Sequence, residues 1–532
     1  MTGAARFLRL VGGDGVATNL KTKSVRGGAV AVVAECTDFA IRLGSVAVLA
    51  RLLVPEYFGL LSMVTAITSI AERFKDFGLS SATIQKKEIT HEQVSTLFWL
   101  NAGVGVAIML LVVGLAYPVS LFYSDARLIS ITLAIAISFP LSGMAIQHQA
   151  LLRRQMKFTQ LAAIQISASV LSLALAIIMA LKGFGYWALV AREVSRNVFM
   201  AAGSWLCMPW VPGAPSRQAG VGSMLRFGGD VTAYNLVWFL CSSMDQVLIG
   251  KLFGAVPVGF YRQGFQLGLA PIIQLSYPVQ VVGEAALSRL QHDPEKYRRY
   301  YHKLLSILSL FTMPLVIFLA VYAEPFVRVA LGDRWIGATP IFQVLAIAAL
   351  LRPAATTAGG VMLTCGHSRR FLWLGLSTSV ALVLFFVAGI PWGPVGIAWA
   401  HVWSIYLLLV PKLYWSFKRT PITLGLFFSA ISKPLAASVV MGIILALLRQ
   451  ARFVQSAFGD LCLGVVVSAL VYFGLWMVMP GGRSELRDLI ADLSGPINAF
   501  AFLRRKERGI VKSCVRGCGA SCECEQLGGL LV

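Results

Sequence analysis

The sequence predicts an all-α, polytopic membrane protein: about 14 transmembrane helices in two pseudo-symmetric six-helix lobes, plus two extra helices. Three observations carry this expectation. Hydrophobic residues fill 57% of the 532 positions and charged residues 13%, with a mean hydropathy of +0.75, which leaves too little polar surface for a soluble globule. Apolar runs of spanning length, roughly 20 residues, recur as far as position 480. Short sequence echoes fall at corresponding runs in the two halves of the chain.

The first long run, Ala29 to Gly59, organises the rest. Glu35, Asp38 and Arg42 interrupt it at spacings of three and four, which places all three on one helical face. Ionisable groups at membrane depth are costly and normally face a bundle interior or a wet cavity, so this helix is expected to line a path. Spans are read near 29–50, 57–77, 94–117, 127–148, 159–181 and 184–208, giving an N-lobe over 29–208 behind an N-terminal tail, 1–28. No cleavable leader is expected, because the tail is polar, basic and glycine-rich and the run behind it has full spanning length. Pro209, Pro212, Gly213, Pro215 and Gly220 punctuate a linker, 209–222. A C-lobe over 223–416 follows, with spans near 223–250, 256–288, 300–322, 337–363, 371–390 and 394–416. Pro271 and Pro278 should kink the long 256–288 segment. Two additional helices, near 434–449 and 458–480, occupy 417–480, and a tail runs over 481–532.

Lysine and arginine orient the chain, since they are enriched in short cytoplasmic loops. With the N-terminus inside, 33 of the 46 fall on the cytoplasmic side and 8 outside, the remaining 5 lying within spans. Both termini are therefore expected in the cytoplasm. The net charge of +22 follows from this bias and from attraction to anionic membrane lipids. No basic stripe with interleaved aromatics points to nucleic acid.

The echoes pair Arg51 and Gly59 with Lys251 and Gly259, and Ala116-Tyr117-Pro118 with Ala323-Glu324-Pro325. They also pair Arg153-Arg154 with Arg369-Arg370, and Gly185 and Ala188 with Gly396 and Ala398. Six crossings return the chain to its starting side, so the copies share an orientation about an axis along the membrane normal.

Other chemistry is largely excluded. His91-Glu92 lacks the second histidine of a zinc helix, and Gly250-Lys251 lacks the rest of a phosphate loop. No catalytic, metal or cofactor residues are expected. Of nine cysteines, none falls in an outside loop, and Cys514, Cys518, Cys522 and Cys524 fit no standard zinc module. The tail after Pro480 is expected to be dispensable, with at most an amphipathic stretch over Ser484 to Leu503.

Several segments resemble the polysaccharide transporter family. They are Ala50 to Gly59 (ARLLVPEYFG), Asp76 to Phe98 (DFGLSSATIQKKEITHEQVSTLF), Leu151 to Phe158 (LLRRQMKF), Gly183 to Val190 (GFGYWALV), Asp245 to Gly250 (DQVLIG), Ala286 to Tyr301 (ALSRLQHDPEKYRRYY) and Trp392 to Ala398 (WGPVGIA). The resemblance covers roughly 25–415 and is greatest to colanic-acid-type exopolysaccharide exporters, within the superfamily of multidrug, oligosaccharidyl-lipid and polysaccharide exporters. It implies a V-shaped cavity between two lobes in the bacterial inner membrane. It also implies flipping of undecaprenyl-diphosphate-linked oligosaccharide repeat units for exopolysaccharide or lipopolysaccharide biosynthesis, with a polymerase and a chain-length regulator as candidate partners.

The family carries no tight substrate motif, so the site is read from charge. Arg42, Arg192, Arg196 and Arg352 lie deep in spans and are the expected substrate ligands, because guanidinium forks match phosphate geometry. Arg192 and Arg196 share a face, while Glu193 points elsewhere. Arg42 has a competing structural role as the i,i+4 partner of Asp38, and Arg352 as a cap on carbonyls freed by Pro353. Arg262 is read as structural, close enough to its helix end to snorkel. Glu35, Asp38 and Asp245 are the candidate coupling-ion acids. Aromatics such as Tyr186, Trp187, Trp392 and Trp399 are assigned to the interfacial belt. Two rival functions share the architecture: a small-cation multidrug antiporter, whose cavity should be richer in acids, and a membrane polymerase or glycosyltransferase, for which the outside loop near Ala323 to Ile336 is too short.

The orientation is testable. Single cysteines at Thr90, Gln155 and His292, in a cysteine-free background, should resist an impermeant thiol reagent applied outside sealed cells. Labelling at any of the three would overturn it.

Overall fold

The computed structural model describes residues 20–74, 80, 83–84, 89–216, 241, 243–451, 456–484 and 487. The far N-terminus, most of the expected span 223–250, and the cysteine-bearing tail lie outside the described residues. Among those described, the chain is helical without strands. The N-lobe comprises α1 (Leu20–Leu52), α2 (Pro55–Phe74), α3 (His91–Tyr123), α4 (Arg127–Ala136), α5 (Ser138–Arg154), α6 (Phe158–Leu181) and α7 (Trp187–Cys207). The C-lobe comprises α8 (Met244–Phe253), α9 (Ala255–Gly268), α10 (Ala270–Arg289), α11 (Pro294–Val321), α12 (Ala323–Leu331), α13 (Thr339–Ala349), α14 (Arg352–Thr364), α15 (Ser368–Gly389) and α16 (Gly393–Phe417). The added pair is α17 (Leu424–Gln450) and α18 (Ala457–Val478).

Local chemistry explains several boundaries. Thr90 and Gln93 form a reciprocal capping box that starts α3, and Ser124 in the left-handed region (φ 59°) ends it. Asp293 caps α11, with Pro294 as its first residue. The segment expected to kink does break, at Leu269 just before Pro271, so that α9 and α10 are separate helices. The 337–363 segment is likewise divided, with a 41° bend between its halves. By length and composition, seven helices among the described residues can cross a membrane, or eight with this bent pair. Fourteen crossings therefore remains an expectation. α1 and α7 fall short of that criterion because Glu35, Asp38 and Arg42 interrupt the one and Arg192, Glu193 and Arg196 the other.

The cores show how the lobes meet. At the end carrying Pro55, Arg127 and Ala255 the two lobes share core. Leu49, Phe58 and Leu189 pack with Phe318, Trp335 and Phe342 in one cluster, and Leu60, Tyr123 and Leu128 join Val258, Tyr261 and Ile397 in another. At the opposite end the cores are separate. Phe98, Leu151 and Ile164 of the N-lobe pack with Trp210 of the linker, whereas Tyr297, Tyr301 and Leu413 of the C-lobe pack with Phe427 of α17. Among the described residues, the lobes are thus joined at one end and share no core at the other.

The joined end is built from residues that the sequence echoes pair. A Cβ on Gly59 would collide with the Ala255 carbonyl, and one on Gly259 with the Pro55 carbonyl, so α2 and α9 cross where neither has a side chain. Arg51 donates to the Val329 carbonyl in the other lobe, and Lys251 donates back to the Phe122 carbonyl. Val329 stands four residues after Pro325 and Phe122 four after Pro118, so the two latches are images of each other. Trp335 seals the seam: it is fully buried, donates to the Ala50 carbonyl at 2.8 Å and meets the Phe58 ring edge-on at 5.1 Å. The segment read as the longest outside loop is therefore largely helix and packed core. Beside it, the Arg127 guanidinium bonded to Asp125 holds that carboxyl below its usual range.

Two echoes are displaced in register. The turn after α5 has its left-handed residue at Met156, and the turn after α14 has it at Gly366. This alignment places Arg369 opposite Thr159, not Arg153. In the same register Gly393, with positive φ, falls opposite Gly183, and Gly396 lies inside α16 against Gly389. The first part of the linker is not a free tether. Trp99 donates to the Gly213 carbonyl at 2.9 Å and Ser216 N–H to Thr96 at 3.0 Å, strapping it to the start of α3.

The crossing predicts a sharp glycine dependence. Gly59→Ala and Gly259→Ala should each destabilise by about 1–3 kcal/mol through overpacking. Gly44→Ala, where a Cβ meets nothing within 4 Å, should be neutral or stabilising by up to about 1 kcal/mol. Apparent melting temperatures of the detergent-solubilised protein provide the check.

Candidate functional site

Between the lobes lies a cavity of about 510 Å3, walled by α1, α2, α4, α5 and α7 of the N-lobe and α9 and α10 of the C-lobe. Four guanidiniums border it, those of Arg42, Arg192, Arg196 and Arg262, together with the carboxylates of Glu72 and Glu193. Neutral polar groups such as Asn197, Gln263, Gln266 and Gln274 complete the polar wall, and Phe39, Phe58 and Phe139 are among the apolar part. Half-open helix ends do not create this polarity. It comes from side chains spaced three and four apart on α1 and α7, which project into one space.

Asp38 is the hub on the N-lobe side, with no exposure. Its Oδ2 lies 3.2 Å from Arg42 Nε and 3.4 Å from Arg196 Nη2. The Arg42 contact is one of charges rather than a directed hydrogen bond, since that Nε–H meets no acceptor in line. Gln165 donates to the same oxygen at 3.1 Å, and Ser169 donates to Oδ1. Arg42 also donates to Glu35 at 3.3 Å. Glu35 in turn accepts from Gln165 at 3.2 Å and, across the seam, from Gln274 of α10 at 3.4 Å. A single network thus ties α1, α6 and α7 to the opposite lobe.

Residues 48–340 match the family described as "Polysaccharide biosynthesis protein". The chain belongs to this family. It is similar to the lipopolysaccharide biosynthesis protein WzxC of Escherichia coli (strain K12), with 24% identity over 80% of this chain and 89% of that one. It is also similar to the teichuronic acid biosynthesis protein TuaB of Bacillus subtilis (strain 168), with 27% identity over 79% of this chain and 88% of that one. Among solved structures, the lipid II flippase MurJ in an inward closed conformation superposes with a TM-score of 0.69 at 14% identity, covering 87% of this chain and all (100%) of that one. That likeness establishes the fold, a multi-pass helical membrane architecture.

Within this family member the sequence-derived residues separate into two places. Arg42, Arg192 and Arg196 border the cavity, and Glu35 and Asp38 pair with Arg42 without lining it themselves. Arg192 forms no ion pair among the described residues. Arg352 and Asp245 lie elsewhere, inside the C-lobe. Arg352 does not border the cavity and donates to His401 at 3.0 Å instead of capping carbonyls. Asp245, 2% exposed, accepts from Tyr261 at 2.9 Å and from the Gln246 N–H at 2.7 Å. Arg262, read as a snorkelling residue, instead faces the cavity and donates to Gln246 at 3.0 Å. Glu193 also reaches the wall, because the cavity spans more than one face of α7. Gln165, Ser169 and Gln274 were not singled out. The available signal was their polarity within apolar helices, with Gln165 and Ser169 four apart on α6.

Because two arginines share Asp38, single losses should be mild. Arg42→Gln or Arg196→Gln alone leaves one guanidinium in place and should cost about 1 kcal/mol or less. The double change leaves a buried carboxylate with only neutral donors and should cost about 3 kcal/mol or more. Adding Asp38→Asn should recover most of the loss. Thermal stability of the four variants checks this, and equal losses from single and double changes would refute the sharing.

Proposed function

We propose that the protein flips a lipid-linked oligosaccharide across the bacterial inner membrane, exposing the cavity alternately to each side. The observation that carries this reading is the cavity with four guanidiniums at the seam of two lobes that are joined at one end only. A diphosphate headgroup cannot enter hydrocarbon unpaired, whereas arginine forks on a protein wall replace its hydration bidentately. The volume of about 510 Å3 falls within the range, about 300–1,000 Å3, of sites that bury small molecules. This state therefore suits the headgroup and its nearest sugar, and the lobes part further for a longer glycan. The names of the relatives support a polysaccharide substrate over a small cation. A polymerase or glycosyltransferase reading gains no support, since the segment at 323–338 is packed core.

The charge count suggests how transport is driven. Arg42, Arg192, Arg196 and Arg262 are balanced by Glu35, Asp38, Glu72 and Glu193, so the empty cavity is close to neutral. A diphosphate would displace Glu35 and Asp38 from Arg42 and Arg196 and leave the site negative. Uptake of a proton or another monovalent cation at Glu35, Asp38 or Glu193 restores the balance, which couples headgroup binding to cation binding. Asp245, held apart by Tyr261, is a second coupling acid in the C-lobe. With both termini cytoplasmic, the joined end faces the periplasm, and the reciprocal Arg51 and Lys251 latches are what outward opening must break.

Arg192 and Arg262 provide the cleanest test, because neither pairs with Asp38. Arg192→Gln and Arg262→Gln should each lower flipping about tenfold or more, the worth of one charged hydrogen bond, at unchanged protein abundance. The readout is accumulation of lipid-linked repeat units in the inner leaflet. Normal export in both variants would refute the arginine-lined route.

A further inference from the structure

A second space, about 540 Å3, lies on the C-lobe between α15 and α16, and none of its lining residues borders the inter-lobe cavity. Its wall is mainly apolar, including Leu374, Ala381 and Leu408, with Trp373 and Trp415 alongside. The one charged residue on that wall is Lys412. Its side chain is half-buried, and no described residue forms a hydrogen bond or ion pair with its ammonium.

An unpaired cation among apolar side chains at the edge of a bilayer is costly, and normally finds an anion or a carbonyl. Neighbouring basic groups meet that need. Arg370 donates to the Lys418 and Trp415 carbonyls, Arg298 donates to the Pro421 carbonyl at 2.7 Å, and Arg369, Lys418 and Arg419 are exposed. None of Arg369, Arg370, Lys412, Lys418 or Arg419 forms an ion pair with a described carboxylate. The groove therefore has a positive mouth with no carboxylate among the described residues to neutralise it. Lys412 stands five residues before the end of α16, about 7.5 Å of helix rise, a depth from which a lysine stem reaches the headgroup level. Trp373 and Trp415, 62% and 47% exposed, have the amphipathic character of side chains at that level. α15 itself is sparsely packed, with Ser379, Phe386 and Gly389 as its buried residues.

We infer that this groove is a binding site for one anionic phospholipid. An acyl chain lies between α15 and α16, the phosphate rests on Lys412, and the basic mouth selects negative over zwitterionic headgroups. The chain supplies α15 with apolar contact that the protein does not. The occupant is a bilayer lipid and not the transported molecule, because the groove does not open into the arginine-lined cavity. The inference is thus independent of the proposed transport.

Native mass spectrometry of the purified full chain, offered equimolar phosphatidylglycerol and phosphatidylcholine, tests it. The unmodified protein should retain one phosphatidylglycerol in preference to phosphatidylcholine. Lys412→Gln should weaken that retention about fivefold, the effect of one lysine near an anionic surface, while Lys412→Arg preserves it. Ala381→Trp, which fills the groove and leaves the charge, should abolish retention, and keeps the test decisive if Lys412→Gln fails to fold. Excess inorganic phosphate should not displace the lipid. Equal retention of the two lipids, full retention in Lys412→Gln or in Ala381→Trp, or displacement by phosphate would each overturn the assignment.

Discussion

The buried carboxylate of Asp38 sets the terms on which the N-lobe can exist in a membrane. A charge without solvent must be met by opposite charge and by donors. Asp38 receives both, from Arg42 and Arg196 and from Gln165 and Ser169. These partners come from three helices, so satisfying one side chain fixes the mutual placement of α1, α6 and α7. The same arrangement keeps two guanidiniums at the cavity wall without leaving them unneutralised. A transporter for an anion needs cations in its path, and a folded membrane protein needs those cations paired. The Asp38 network serves both needs, and in the proposed transport an arriving phosphate would compete for partners already in use.

A second constraint is steric and acts at the other end of the cavity. α2 and α9 approach so closely that only Gly59 and Gly259 fit at the crossing. Around that point the contacts are reciprocal: Pro55 against Gly259, Ala255 against Gly59, Arg51 to Val329 and Lys251 to Phe122. The latches end on backbone carbonyls, not on carboxylates. Such bonds contribute about 1–3 kcal/mol even when the donor is charged, and water can replace them when the lobes separate. A seam closed this way suits reversible opening better than one locked by buried ion pairs.

The glutamines mark where the lobes communicate. Gln274 reaches Glu35 across the seam, so the acid that neutralises Arg42 is also touched by the C-lobe. In the proposed cycle a change in lobe angle would alter this contact directly, a physical route from rocking to the charge state of the site.

Much of this was legible in the sequence. Apolar runs located the helices, because a spanning segment must be apolar over its length. Prolines located the break between α9 and α10. The spacing of Glu35, Asp38 and Arg42 predicted a polar face on α1, and the echoes at Arg51 and Lys251 pointed to the two residues that reach across the seam. The sequence could not say which deep charges share a space, since that depends on how helices far apart in the chain are rotated and packed. Tertiary structure alone brought Arg262 to the cavity and took Arg352 to His401. It gave Asp38 its second arginine from α7, 158 residues away. It also corrected the register at Met156 and Gly366, where backbone conformation, not residue identity, marks equivalence. Helix identity is a local property of hydropathy, whereas a binding site is a property of rotation and contact, and only the folded chain contains that information.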